Sequence, residues 1–376
     1  MAMLLLGLAG LAVLIIWWFM RSPAPRAAAP RPPVTRPFPS APSPLPSSPA
    51  PLAAPSAATA PAPIADEPAP PPPPALQLRV AEVLEPARTE QLLEALRKLP
   101  RPPRALQQLM APQFVQTATS AELAGIVMGE PSVAARVVAT ANSPMYALHQ
   151  PVTSVGQAIT FLGLSSVRQM CLQHMLADCF QPKDAAQQRE FDVLWRASSI
   201  AGELCQQLAQ RLRLPEPASL VTLLVLSFLG RQAGAALLDV AEVKGMDTYQ
   251  RALHEQEVLG LASHELGHLL MRAWEVPLEL ADDARTLSAL HFDAGRFVPP
   301  DRETALVLGS LCAMLGERIA RDQIGAALYD PVHDTRPDMA ALRPRLSRPP
   351  LNTLGAEFSS QALVRVLSRL MNTPSN

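Results

Sequence analysis

The placement of proline constrains this chain more than any other feature. The 376 residues include 41 prolines, and these fall into two patterns. From about Ser22 to Ala75 they alternate with Ala and Ser and end in the run Pro70 to Pro74. A stretch so poor in amide donors and large apolar groups cannot bury a core. It is expected to be a disordered linker sampling extended polyproline-II-like states, at about 3.1 Å per residue. Its expected role is reach, with a proline-docking ligand for a partner as the sharper alternative. Beyond Leu76 the prolines move to the ends of apolar segments, at Pro100, Pro102, Pro103, Pro131, Pro144, Pro215 and Pro277. Between them apolar residues recur at helical spacing, as in Leu92, Leu93, Leu96 and Leu99, or Leu204, Leu208 and Leu212. Period-two alternation is hard to find. An all-α fold with a substantial core is therefore expected over residues 76–322, with proline marking helix boundaries. Residues 323–376 read as a looser C-terminal extension with a short amphipathic helix from Phe358 to Met371.

The N-terminus predicts a membrane anchor over residues 1–21. Met3 to Met20 carries no charge and is long enough to cross a bilayer as a helix at about 1.5 Å per residue. Trp17 and Trp18 sit near one end, where indole rings favour the headgroup region. A cleavable signal peptide is the rival, but no Lys or Arg precedes the run and the run is long for one. Arg21, Arg26, Arg31 and Arg36 follow the helix, so the positive-inside rule predicts a single pass of the inner membrane with everything after it in the cytoplasm. The net charge is −1 with 17% charged residues, and no basic excess points to nucleic acid. The cysteines Cys171, Cys179, Cys205 and Cys312 form no CxxC pair and read as buried thiols.

Several segments, taken in order, carry a family resemblance. They are LRKLPRPPRALQQLM (Leu96 to Met110), Glu130-Pro131, Ala141-Asn142-Ser143, and the set Val152, Ser154, Ala158, Ile159, Leu162, Gly163 and Leu164. The pattern Gly267, Trp274 and Pro277 follows. Together they resemble the HDOD domain family, a multi-helical relative of the HD phosphohydrolases. Read physically, Glu130 and Pro131 suit a helix start and Asn142-Ser143-Pro144 a helix stop. A shared interaction surface of Arg136, Asn142, Ser143 and Tyr146 is the functional alternative.

The resemblance also implies what is missing. HD phosphohydrolases bind metal through a helix histidine, a His-Asp pair and a later aspartate, ligands that converge on cations and activate water. At the first of these positions the sequence has Ala197. Aligned on Gly230, the His-Asp positions are Ser227 and Phe228. The dipeptide His333-Asp334 lies outside the matching helix and reads as chance. His264-Glu265-Leu266-Gly267-His268 is an HExxH, the zinc-peptidase arrangement, with Glu265 as base. Its extended form fails at Met271 and Trp274; a third ligand has to be sought among Asp282, Asp283 and His291. In the HDOD register Ser263, not His264 or His268, stands where that family often has a histidine. No phosphate-cradling GxxxxGK[ST], GxSxG elbow or GxGxxG occurs.

The expectation is a membrane-tethered, non-enzymatic regulatory scaffold without a cofactor. Its partners would be signalling proteins of two-component or cyclic-di-nucleotide pathways. A zinc-dependent metallopeptidase and an HD-type phosphohydrolase are the alternatives.

Overall fold

A computed structural model describes residues 77–371, apart from 144–145, 147–149 and 325–328. The N-terminal apolar run, the proline-rich linker and Pro144 lie outside the described residues. Every regular element described is helical. In chain order they are α1 Pro86–Arg97, α2 Arg104–Met110, α3 Pro112–Thr117, α4 Ser120–Met128, α5 Pro131–Ala141 and α6 Val155–Leu162. Then come α7 Leu164–Ala177, α8 Ala185–Arg211, α9 Pro217–Ser227, α10 Leu229–Leu237, α11 Thr248–Val258 and α12 Ser263–Ala273. The remainder are α13 Leu278–Ala289, α14 Pro300–Ala320, α15 Arg343–Leu346, α16 Leu354–Phe358 and α17 Gln361–Met371.

Proline does open helices, at Pro86, Pro112, Pro131, Pro217 and Pro300. There its missing N–H removes a donor that would have no partner. Glu130 differs from expectation: its side chain makes no capping bond, so Pro131 alone shapes the start of α5. Polar caps do appear elsewhere. Thr119 and Glu122 form a reciprocal capping box on α4, and Asp247 and Gln250 form another on α11.

Two long helices, α8 and α14, pack side by side through the middle of the core. Every residue of α14 from Leu306 to Ala320 is buried. At Gly316 the two backbones nearly touch, since a Cβ there would lie 2.5 Å from the Ala197 carbonyl oxygen. Across them runs Pro217–Leu237, apolar enough by composition to cross a membrane but 89% buried inside the domain. It is a core segment, broken at Phe228 into α9 and α10. The four cysteines are buried and free. Met339, Leu342, Leu346, Leu351, Leu354, Phe358, Leu363 and Leu367 add the C-terminal stretch to the same apolar core.

Candidate functional site

Ser227 and Phe228 end α9, and α10 continues from them into a crossing with α12. The crossing requires glycine on both sides. A Cβ on Gly230 would overlap the Ser263 carbonyl oxygen, and a Cβ on Gly267 would lie 2.9 Å from the Gly230 Cα. This backbone contact sets the first turn of α12 against the α9–α10 joint. It brings Ser227, Arg231, Ser263 and His264 around one small cavity. Ser288 and His291 close it from α13 and the turn beyond, Glu317 from α14, and Arg251 and Glu255 from α11. The enclosed space is about 20 Å³, room for about one water.

Charge, paired with charge, fills the walls. Arg231 Nε donates to Glu317 Oε2 at 3.0 Å. Arg251 Nη2 donates to Glu190 Oε1 at 2.6 Å, and Arg321 bridges Glu190 at 2.7 Å and Glu317 at 3.2 Å. Burial alone would raise the Glu317 carboxyl, but Arg231, Arg321 and Arg251 outweigh it and hold its pKa low. Glu190 is held low in the same way by Arg321 and Arg251 against its own burial. Glu255 goes the other way: burial raises its pKa more than its hydrogen bonds from Ser263, 2.6 Å from both N and Oγ, can offset. The web is close to self-neutralising, as buried charge must be.

The three positions aligned with metal ligands give such a site nothing to hold a cation. Ala197 is fully buried beneath the α14 backbone. The Ser227 hydroxyl donates to the Leu224 carbonyl at 2.6 Å, within its own helix turn. Phe228 is fully buried, with the Arg231 guanidinium 5.1 Å from its ring centre. The carboxylate of Glu317 that lines the cavity is already paired with Arg231 and Arg321, and Glu255 accepts from Ser263, so neither stands free for a cation. The residues present therefore do not fit the metal centre of HD phosphohydrolases.

The HExxH residues have other partners. Glu265, the would-be base, is fully buried and accepts from Arg285 Nε at 2.5 Å and from the Ala81 backbone N at 3.0 Å. Arg285 also pairs with Glu82 at 3.2 Å. Glu265 thus anchors the short 3₁₀ turn Ala81–Val83 to α12. His268 Nε2 lies 2.9 Å from Asp282 Oδ1. His264 faces the central cavity with neither ring nitrogen hydrogen-bonded, and burial pushes its pKa down to about 3. Of the proposed third ligands, Asp282 serves His268, Asp283 pairs with Arg302 at 2.6 Å, and His291 shares the cavity with His264. Among the described residues no group of three His, Cys, Asp or Glu side chains is placed to hold a metal ion.

The residues of the expected interaction surface each have identifiable surroundings. Asn142 clamps the chain after α5: its Nδ2 donates to the carbonyls of Val138 and Val152, at 3.0 and 2.7 Å, and its Oδ1 accepts from Val152 N at 2.7 Å. Ser143 N donates to the Thr140 carbonyl, and Tyr146 packs edge-on to Phe161 at 5.6 Å. Arg136 opens instead onto a separate cleft of about 310 Å³ between α5, α7 and α8. At the C-terminal side, Asp334 of the His333-Asp334 dipeptide is a buried acceptor for Arg318 and Arg336, at 3.2 and 2.6 Å. The sequence reading missed Arg231, Arg251, Arg321, Glu190 and Glu317. The available signal was charge inside apolar runs, as Arg231 has in SLVTLLVLSFLGRQAG.

A family model described as the HDOD domain matches residues 99–289, just over half of the chain. The chain belongs to the HDOD family. Its HDOD fold is similar to the crystal structure of an HDOD domain protein of unknown function from Geobacter sulfurreducens. The two are 18% identical, with a TM-score of 0.52 over 75% of this chain and 98% of that one. A putative phosphohydrolase from Shewanella amazonensis is 22% identical over 74% of this chain and 96% of its own, with a TM-score of 0.48. No curated protein matches the chain.

Proposed function

We propose that this HDOD protein is a non-enzymatic signalling scaffold that acts by binding other proteins and is tethered to the inner membrane. The observation that carries the proposal is the arginine–glutamate web around the Ser227, Arg231 and Glu317 cavity. Where a hydrolase of the related class needs convergent ligands and an open position for water, this chain has alanine, a self-bonded serine, phenylalanine and paired charge. An all-helical body with its polar centre closed is suited to presenting surfaces to partners. In the full chain the apolar run Met3 to Met20 is the anchor, and the arginines after it favour a cytoplasmic domain. Confinement by a long tether raises the effective concentration toward other membrane-bound components. Proteins of two-component or cyclic-di-nucleotide pathways are the partners proposed.

The test uses the full chain purified from membranes. Elemental analysis is expected to find no stoichiometric zinc, manganese or iron, and assays with phosphomonoesters, phosphodiesters and casein to match buffer with or without added metal. Stoichiometric metal lost on His264→Ala, or metal-dependent release of phosphate, would sink the scaffold reading. Fractionation is expected to recover the chain with membranes and a version lacking residues 1–21 in the soluble fraction. Protease added to intact spheroplasts is expected to leave the domain uncut.

A further inference from the structure

The Arg136 cleft plays no part in the scaffold reading, and its contents are those of a ligand site. About 310 Å³ lies between α5, α7 and α8, within the size range of small-molecule pockets. Its floor is aromatic: Phe180, Phe191 and Trp195, with ring centres 5.9 and 6.3 Å from Phe180. Phe180 and Phe191 are buried, whereas Trp195 is half-buried and faces the cleft. On the rim Arg136 and Asp178 stand side by side without closing on each other. Their nearest atoms are 3.9 Å apart, with both side chains about half exposed, and Arg136 Nη1 is 3.5 Å from His174 Nδ1. Both separations exceed the roughly 2.7–2.9 Å of a formed charge-assisted hydrogen bond. The guanidinium's donors and the carboxylate's acceptors are thus adjacent and underused. The other polar groups of the lining are already paired: Gln188 Nε2 donates to Asp192 Oδ1 at 2.7 Å, and Gln173 Oε1 accepts from Ser199 Oγ at 3.0 Å.

We propose that this cleft binds a guanine base, stacked against Trp195, with its O6/N7 edge on Arg136 and its N1–H and N2–H donors on Asp178. Guanine presents two acceptors and two donors along one continuous edge, matching a guanidinium beside a carboxylate. Arginine pairs with O6 and N7 in bidentate fashion, and a carboxylate only accepts. Adenine would keep only N7 for Arg136, turning its amino group toward the guanidinium and its N1 acceptor toward Asp178, so the bidentate pairing and the carboxylate pairing are both lost. Stacking on an aromatic face holds the ring in place and is tolerant of ring identity, so the edge groups set the choice of base. One guanidinium among two carboxylates leaves no second cation in the lining for a phosphate chain. The ligand class is therefore a guanine nucleoside, or a nucleotide whose phosphates lie in solvent.

Equilibrium dialysis of the full chain in detergent against labelled guanosine, from micromolar to millimolar, tests the proposal. Saturable binding is expected, at least about tenfold weaker for adenosine and little changed for guanosine monophosphate. Arg136→Ala and Asp178→Asn are each expected to weaken guanosine binding about tenfold or more, with thermal melting of the Arg136 variant unchanged. Trp195→Phe, which keeps a stacking face, is expected to retain binding within about threefold. The proposal fails if a cooperatively melting chain shows no saturable guanosine binding. It also fails if adenosine binds equally well, or if the Arg136 variant binds guanosine like the parent. None of these outcomes bears on the scaffold reading, which concerns the Ser227 cavity.

Discussion

The Ser227 cavity and the Arg136 cleft hold similar groups in opposite arrangements. Both combine arginine, carboxylate, histidine and aromatic rings. In the cavity's walls the arginines and carboxylates close on one another at 2.6–3.2 Å around about 20 Å³; in the cleft the ion pair stands open at 3.9 Å beside about 310 Å³. Buried charge is tolerated only when paired, and once paired it resists change because every member becomes costly to lose. Half-exposed charge keeps its solvation, contributes little to stability and stays available to a ligand. The Ser227 cavity is thus the closed, paired part of this molecule, and the Arg136 cleft the open one.

Breaking the rigid side should have the largest effect. Glu317→Ala removes the shared acceptor of Arg231 and Arg321 and leaves buried guanidinium groups unpaired. It is expected to destabilise the domain by about 3–5 kcal/mol in urea unfolding. A change under about 1 kcal/mol would mean that the web does not hold the core together. Gly230→Ala comes next. Its methyl group would overlap the Ser263 carbonyl oxygen, so α10 and α12 must separate, at a cost of about 1–3 kcal/mol or more read from the same midpoint.

Acid should probe both regions through their histidines. His264 has a pKa near 3, and burial holds His291 well below its ordinary value. In the cleft, burial and then Arg136 lower His174 to about 4. Unfolded, each takes up a proton near 6.5, so below that pH the unfolded state binds more protons than the folded one. Stability is expected to be level above about pH 6.5 and to fall by up to about 1.4 kcal/mol per pH unit per histidine below it. The loss from His264 continues toward pH 3. Glu190 and Glu317, whose folded pKa values are depressed, add losses only below their ordinary range near 4.5. Between pH 6.5 and 5 the histidines favour the higher pH, while Glu255, whose folded pKa burial raises, contributes in the opposite direction, so the histidine share is read from the variant. His264→Gln is expected to remove part of that share in denaturant titrations at stepped pH, and an unchanged slope would contradict the assignment. The smallest effect should come from the open side: Arg136→Ala is expected to shift stability by no more than about 0.5 kcal/mol in the same titration.

Much of the architecture was legible in the sequence. Proline at helix starts, leucine at helical spacing and the ordered family segments all act locally, over a turn or two of helix. The family register also marked Ala197, Ser227 and Phe228 as positions without metal ligands. What lay beyond reach was what stands there instead. Arg231 meets Glu317, and Glu265 meets Arg285 and the backbone of Ala81, across distances in the chain that no periodicity encodes. Asn142 read first as helix punctuation and second as contact surface, and its three bonds to Val138 and Val152 give it the structural role.

HELGH shows where that division falls. The sequence by itself determined that two histidines and a glutamate would share one helix, a turn apart, because helical spacing is a property of neighbouring residues. Only the tertiary structure decided that one histidine faces a closed cavity, the other an aspartate, and the glutamate an arginine. The reason is that a helix defines directions relative to its own axis, while the Gly230–Gly267 crossing fixes what stands in each direction.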